Sequence, residues 1–176
     1  MKRSFLYLGL IFALILAILA LALWNITTRA NTNRVSQPLY IYDNTSQTQL
    51  IELLDSGGYI KSRYWFKIAS KLYKLEGRIK VGRYIIEPGL DNRSLVRKFS
   101  LGLQTPHNLV LSGNIRGAER LASTISHYIY ADSATVLERL KDSVFIDSLG
   151  FNSYTLPAMF LLNTYEIYWT STPKQI

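Results

Sequence analysis

The longest apolar run comes first. From Phe5 to Trp24 the chain reads FLYLGLIFALILAILALALW, twenty residues without a charge. At 1.5 Å per residue that is enough helix to cross a hydrocarbon layer about 30 Å thick, and the core helix of a small domain needs no such run. Tyr7 and Trp24 stand near its ends, where amphipathic rings favour the headgroup level, and Lys2 and Arg3 precede it. The pattern predicts a cytoplasmic tip at 1–4, a transmembrane helix at 5–24 and an inside N-terminus, with Arg29 and Arg34 beyond the run pulling the other way. A cleaved signal peptide is the rival reading. Its apolar region normally ends at a small-x-small site, whereas Ala20-Leu21-Ala22 lies inside the run.

After a polar linker at 25–37 the pattern shortens to domain-sized elements. Pro38 to Tyr42 has strand character, and Ser46-x-x-Gln49 offers a capping box ahead of Leu50, Leu53 and Leu54, with Gly57-Gly58 closing the helix. Ser62 is placed to cap a second helix whose apolar stripe reads Trp65, Ile68, Ala69 and Leu72. Arg83 to Ile86 is a β-rich run ended by Pro88-Gly89, and Asn92 to Leu101 is a helix burying Leu95 and Phe99 and stopping at Gly102. The order over 38–105 is therefore strand, helix, helix, strand, followed by one more helix.

A second lobe starts after Pro106 with a strand at 108–111. Helices follow from about Arg116 to Tyr130, with Leu121, Ile125 and Tyr128 on one face, and from Ser133 to Lys141, with Val136, Leu137 and Leu140 on one face and Asp132 or Ser133 as cap. The stretch FNSYTLPAMFLLNTYEIYW, Phe151 to Trp169, is dense in aromatic groups that call for a core or a ligand, and only seven residues follow it. We expect the sequence to be incomplete. The fold class is α+β: an N-terminal transmembrane helix, a strand-helix-helix-strand lobe, and the truncated beginning of a second α/β lobe over 106–176.

Charge and composition narrow the chemistry. The formal net charge is +8, but setting aside Lys2, Arg3, Arg29 and Arg34 leaves 16 basic against 12 acidic residues. They are scattered singly, which suits solvated helix faces and gives no nucleic-acid footprint. The alternative for the excess is attraction to anionic lipid headgroups or an acidic polymer. There is no cysteine, which excludes disulfides and thiolate metal sites, and neither His107 nor His127 has acidic residues at ligand spacing. No metal site is expected from these residues.

The residues then carry a resemblance. Lys80-Val81-Gly82-Arg83-Tyr84, Gly89, Leu95-Val96 and Leu101-Gly102, followed by Ile115-Arg116, Leu121-Ala122, Asp132-Ser133, Gly150-Phe151 and the run Phe160 to Trp169, resemble in order and spacing the pattern of the YceG-like (MltG) family of endolytic murein transglycosylases. The chain departs from that pattern at Ser112-Gly113-Asn114, where many relatives have Pro-Glu-Gly, and at Leu162, where many have Pro before the Asn-Thr-Tyr motif. The family's catalytic glutamate lies in a later Ala-Ser-x-x-Glu-Lys-Glu segment with no counterpart before Ile176. Glu166 does not align with it, so no catalytic residue is assigned.

The resemblance implies a single-pass protein of the bacterial inner membrane with its C-terminal region on the periplasmic or extracytoplasmic side. It implies non-hydrolytic internal cutting of nascent peptidoglycan glycan strands to give 1,6-anhydro-muramyl ends. One acid serves as proton donor and then as base for the sugar's own C6 hydroxyl, so no second carboxylate is needed, and no metal or cofactor is implied. It further implies a LysM-like lobe over 38–105 and cell-wall synthesis proteins as candidate partners. Tyr59, Tyr64, Trp65 and Tyr84 are candidate sugar-stacking groups there, with Trp65 on the helical stripe and so expected in the core. In the second lobe Asn163, Tyr165, Glu166, Tyr168 and Trp169 are the glycan-binding candidates, with Trp169 expected to stack at the surface; a strand placed by packing alone is the alternative. Two functions stay open: a transglycosylase present as its N-terminal part, or a non-catalytic membrane-anchored peptidoglycan-binding or scaffold protein.

Overall fold

The computed structural model describes residues 2–111, 117–152, 155–160 and 163–176. Two compact units emerge, Met1–Lys80 with Ile85–Leu103, and Val81–Tyr84 with Gln104–Ile176. The mixed α+β class expected from the patterning is what the chain adopts.

The first unit contains α1 (Lys2–Thr28), β1 (Leu39–Ile41), α2 (Gln47–Ser56), α3 (Arg63–Leu72) and α4 (Asn92–Leu101). Within α1, residues Tyr7–Thr28 form a helix long and apolar enough to cross a membrane, with a mean hydropathy of 2.6 in its most apolar window. The Thr27 hydroxyl donates to the Leu23 and Trp24 carbonyls and the Thr28 hydroxyl to that of Trp24, so both polar side chains are paired back onto the helix. The stretch read as a polar linker begins as this last helical turn and continues as a bonded strap. Asn31 is buried; its amide donates to the Ser62 carbonyl at 3.0 Å and to Asn92 Oδ1 at 2.7 Å, and its Oδ1 accepts from Ser62 N–H at 2.9 Å. Asn92 in turn donates to the Ile26 carbonyl at 2.8 Å, which ties the end of α1 to the start of α4. Thr32 Oγ1 donates to the Glu87 carbonyl and accepts from Leu90 N–H, each at 2.8 Å.

Local signals place the other helices of this unit. The capping box of α2 forms, Ser46 Oγ accepting from Gln49 N–H at 3.2 Å and Gln49 Oε1 from Ser46 N–H at 2.8 Å. Helix α4 occupies the predicted range, with the Asp91 carboxylate accepting from Ser94 N–H at 2.6 Å and Gly102 in the left-handed conformation at its end, φ 66°. Leu50, Leu54, Phe66, Ala69, Leu75, Leu95 and Phe99 are wholly removed from water, each of the larger ones contributing about 1.5–3 kcal/mol by burial.

The stripe expected on α3 is rotated by one residue. Phe66, Ala69 and Ser70 face inward, while Trp65 and Leu72 are exposed at 40% and 52%. Ser70 is tolerated in the core because its hydroxyl accepts from Gln47 Nε2 at 2.6 Å and donates to the Lys67 carbonyl, so no polar group there is left unpaired. Ser62 stands at the N-cap position without a side-chain cap bond.

The second unit contains β2 (Gly82–Tyr84), β3 (His107–Val110), α5 (Ala118–Ser126), α6 (Ser133–Lys141), α7 (Ser143–Ser148), α8 (Leu156–Met159) and β4 (Thr164–Ile167). Strands β3 and β4 pair antiparallel, His107 opposite Ile167, Asn108 opposite Glu166, Leu109 opposite Tyr165 and Val110 opposite Thr164. Leu109, Leu111, Leu121, Ile125, Val136, Leu140, Ile146 and Leu156 belong to one core, against which Tyr128, Tyr165 and Ile167 pack. Asp132 caps α6 through Thr135 N–H at 2.7 Å. Asp142 ends α6 and caps α7 through Phe145 N–H at 3.1 Å, while accepting from Arg139 at 2.6 Å. The departures at Ser112-Gly113-Asn114 and Leu162, and the pair Ile115-Arg116, lie outside the described residues.

Candidate functional site

The Gly82-Arg83-Tyr84 signature has a physical role in the second unit. A Cβ on Gly82 would sit 2.5 Å from the Gln104 side chain, which cannot retreat freely because it exchanges hydrogen bonds with Thr170 at 2.8 and 3.3 Å. The Arg83 guanidinium donates to the carbonyls of Thr105 and Pro106 at 3.1 and 3.2 Å, and the Arg83 carbonyl accepts from Thr105 N–H at 2.9 Å. Tyr84 is fully buried, and burial pushes its phenol up to about 12. The three residues thus fix the chain just before β3, and Gln104 reaches Thr170 just beyond β4. In this antiparallel pair the start of β3 and the end of β4 lie together, so the signature and its neighbours hold the His107–Ile167 end of the pair.

The pair has two unlike faces. Side chains alternate along a strand and residues directly opposite share a face. Leu109 with Tyr165, and His107 with Ile167, turn toward the core; Asn108 with Glu166, and Val110 with Thr164, turn outward. Tyr168 continues the outward series and is 50% exposed. The result is a short polar and aromatic strip of Asn108, Val110, Thr164, Glu166 and Tyr168. Hydroxyl, amide and carboxylate groups beside an aromatic face match the hydroxyls and apolar faces of a sugar.

The five predicted binding residues divide across these faces. Asn163, Glu166 and Tyr168 are exposed, the Asn163 Oδ1 accepting from Thr164 N–H at 2.8 Å. Tyr165 is half-buried against the core. Trp169, expected to stack at the surface, is 7% exposed, with its ring 4.8 Å from that of Tyr130 and its carbonyl accepting from Tyr130 N–H at 2.7 Å. Its indole therefore anchors the end of β4. Asn108 and Val110 were missed as contributors; only the pairing register brings them beside Glu166 and Thr164. Among the first unit's aromatic candidates Tyr59 is buried, its hydroxyl donating to the Gln37 carbonyl at 3.3 Å, while Tyr64 and Trp65 are exposed and meet edge to face at 4.8 Å.

Behind the strip, Leu109, Leu111, Met159, Phe160, Tyr165 and Ile176 line a hollow of about 220 Å³. His107 sits at the inner edge, its Nε2 2.5 Å from the Tyr128 carbonyl and its ring edge to face with that of Tyr128. Burial lowers its pKa below 6.5, the bond to Tyr128 opposes this, and the Arg83 charge lowers it further. Among the described residues no three His, Cys, Asp or Glu gather where they could hold a metal ion.

Comparison with known proteins gives the site its context. The family model described as the YceG-like family matches residues 39–176. The crystal structure of a yceG-like protein from Listeria monocytogenes is similar at 21% sequence identity and a TM-score of 0.45, over 66% of this chain and 38% of that one. The chain therefore spans well under half the length of that solved relative. No curated protein matches. The family model takes in every element from β1 to β4, including the Gly82-Arg83-Tyr84 signature and the strand pair it secures, and the chain belongs to the YceG-like family.

Proposed function

We propose that this chain acts in membrane-anchored, endolytic, non-hydrolytic cleavage of peptidoglycan, and that its own part is to hold the glycan strand. Family membership supports a murein transglycosylase-type function, and α1 supports attachment to a membrane. The inner membrane, with the two units on its outer side, and a LysM-like role for the first unit belong to the same reading. The observation that carries the binding role is the outward strip of the β3–β4 pair, where Asn108, Thr164, Glu166 and Tyr168 stand together at the surface. Tethering raises the effective concentration of glycan made at the same membrane.

A general acid for this chemistry is enclosed so that it stays protonated until it reacts. Glu166 is exposed on a strand and has no such enclosure, so it is assigned to binding. The same observation favours the second reading, a glycan-binding or scaffold role without cleavage, for residues 1–176 taken alone.

The test is cosedimentation of the full chain, in detergent, with purified murein, followed by analysis of the released muropeptides. The wild-type chain is expected to pellet with murein and release no anhydro-muropeptides, and Tyr168→Ala to weaken binding roughly tenfold, the scale of a lost aromatic contact. Failure to pellet would contradict the binding role, and release of anhydro products would contradict the assignment of Glu166.

A further inference from the structure

A groove of about 410 Å³ opens in the first unit where the end of α1 meets the strap and the start of α3. Its wall changes character along α1. Ala22 and Ile26 supply an apolar side continued by Trp65, while Arg29, about one turn beyond Ile26, and Lys61, whose backbone N–H donates to the Asn31 carbonyl at 2.7 Å, supply cationic groups. Arg29 and Lys61 are exposed, and neither pairs with a carboxylate among the described residues. No carboxylate lines the groove; the nearby Asp91 is occupied in capping α4, accepting from Ser94 N–H. The groove also has a fixed shape. Asn31 and Asn92 on its floor are buried and bonded to each other at 2.7 Å, and Asn92 holds the Ile26 carbonyl.

The position of this groove along α1 suggests its ligand. Tyr7–Thr28 is the apolar span, so Ala22 and Ile26 lie in its final turns, at the depth where acyl chains give way to headgroups. Trp24 is 68% exposed on the same stretch, and Trp65 brings a second indole to that level; tryptophan favours this boundary. Apolar wall toward the span and cations just outside it reproduce, in order, the chemistry of a phospholipid with a negatively charged headgroup. We propose that the groove binds one anionic phospholipid, its phosphodiester between Arg29 and Lys61 and its upper acyl chain along Ala22, Ile26 and Trp65. This rests on the reading of α1 as a membrane span. The bound lipid would set the first unit against the bilayer surface in a defined orientation.

The full chain is placed in nanodiscs of mixed phosphatidylglycerol and phosphatidylcholine, transferred to detergent, and the lipids it retains are quantified by mass spectrometry. The expected result is selective retention of phosphatidylglycerol, reduced roughly thirty-fold in the double variant Arg29→Gln with Lys61→Gln, about a kilocalorie for each surface cation. Lys2→Gln with Arg3→Gln, outside the groove, should leave retention unchanged. Equal retention of the two lipids, or a preference untouched by Arg29→Gln with Lys61→Gln, would overturn the proposal. So would displacement by an equal concentration of soluble glycerol phosphate, which would mark a site for free phosphate esters. Alkaline carbonate extraction separates the two failures: release of the chain refutes the span and the lipid site together, whereas an inserted chain without lipid preference refutes the lipid site alone.

Discussion

At the scale of single residues, Asn31 and Arg83 do the most to fix geometry. Asn31 uses both ends of its amide in the interior of the first unit, so Asn31→Ala strands the Ser62 N–H and one acceptor of Asn92. Each polar group left without a partner costs about 1–3 kcal/mol, and a loss of that size should appear in urea denaturation of the detergent-solubilised chain. The burial of His107, with Arg83 nearby, predicts a titration. Because the folded His107 holds its proton less tightly than the ordinary 6.5, stability from this group is fully present above that pH and is lost as pH falls below it, where the unfolded chain takes up the proton first. The second unit should lose stability between pH 7 and 5, with a smaller loss in His107→Gln. Replacing Arg83 by Met removes a positive neighbour and should raise the His107 pKa, as read by NMR. A His107 that titrated above 6.5 would contradict this. None of these long-range bonds is visible in the sequence: Asn31 read as linker, and only folding brings it to Ser62 and Asn92.

Several helix ends were legible, because caps are local chemistry: Ser46-x-x-Gln49, Gly102 and Asp132 each place one through residues three or four apart, whereas the helix expected to reach about Tyr130 ends at Ser126. Ser46→Ala and Asp132→Ala should each cost about 1 kcal/mol in thermal or denaturant unfolding. The stripe of α3 was less legible. Residues 65, 68, 69 and 72 and residues 66, 69 and 70 both satisfy helical spacing and share Ala69, and the choice turns on Ser70, whose polar group looks out of place until Gln47 is found opposite it. Phe66→Ala should therefore cost about 3–5 kcal/mol, while Trp65→Ala should cost under about 1 kcal/mol; the reverse order would restore the stripe expected from sequence. Trp169 was misplaced for a related reason. An alternating polar and aromatic run shows that one face is buried without saying which, and Tyr130, distant in sequence, decides it.

At the scale of the whole molecule, a long apolar helix that continues into a bonded strap is joined to a first unit, and a second unit carries a strand pair with one face in the core and one in solvent. The long apolar helix and the family pattern could be read directly from the chain, the first from an uninterrupted apolar run and the second from ordered short motifs. The outward strip could not, since two of its five residues, Asn108 and Val110, come from β3 and are placed by register with β4. The central claim is that this strip holds glycan, and side-chain footprinting tests it most directly. Hydroxyl-radical labelling of the full chain, with and without soluble glycan strands, reports Tyr168, exposed in the strip, against Trp169, buried next to it. The account predicts that glycan protects Tyr168 and leaves Trp169 unchanged; protection confined to other residues, with Tyr168 as reactive as before, would contradict it.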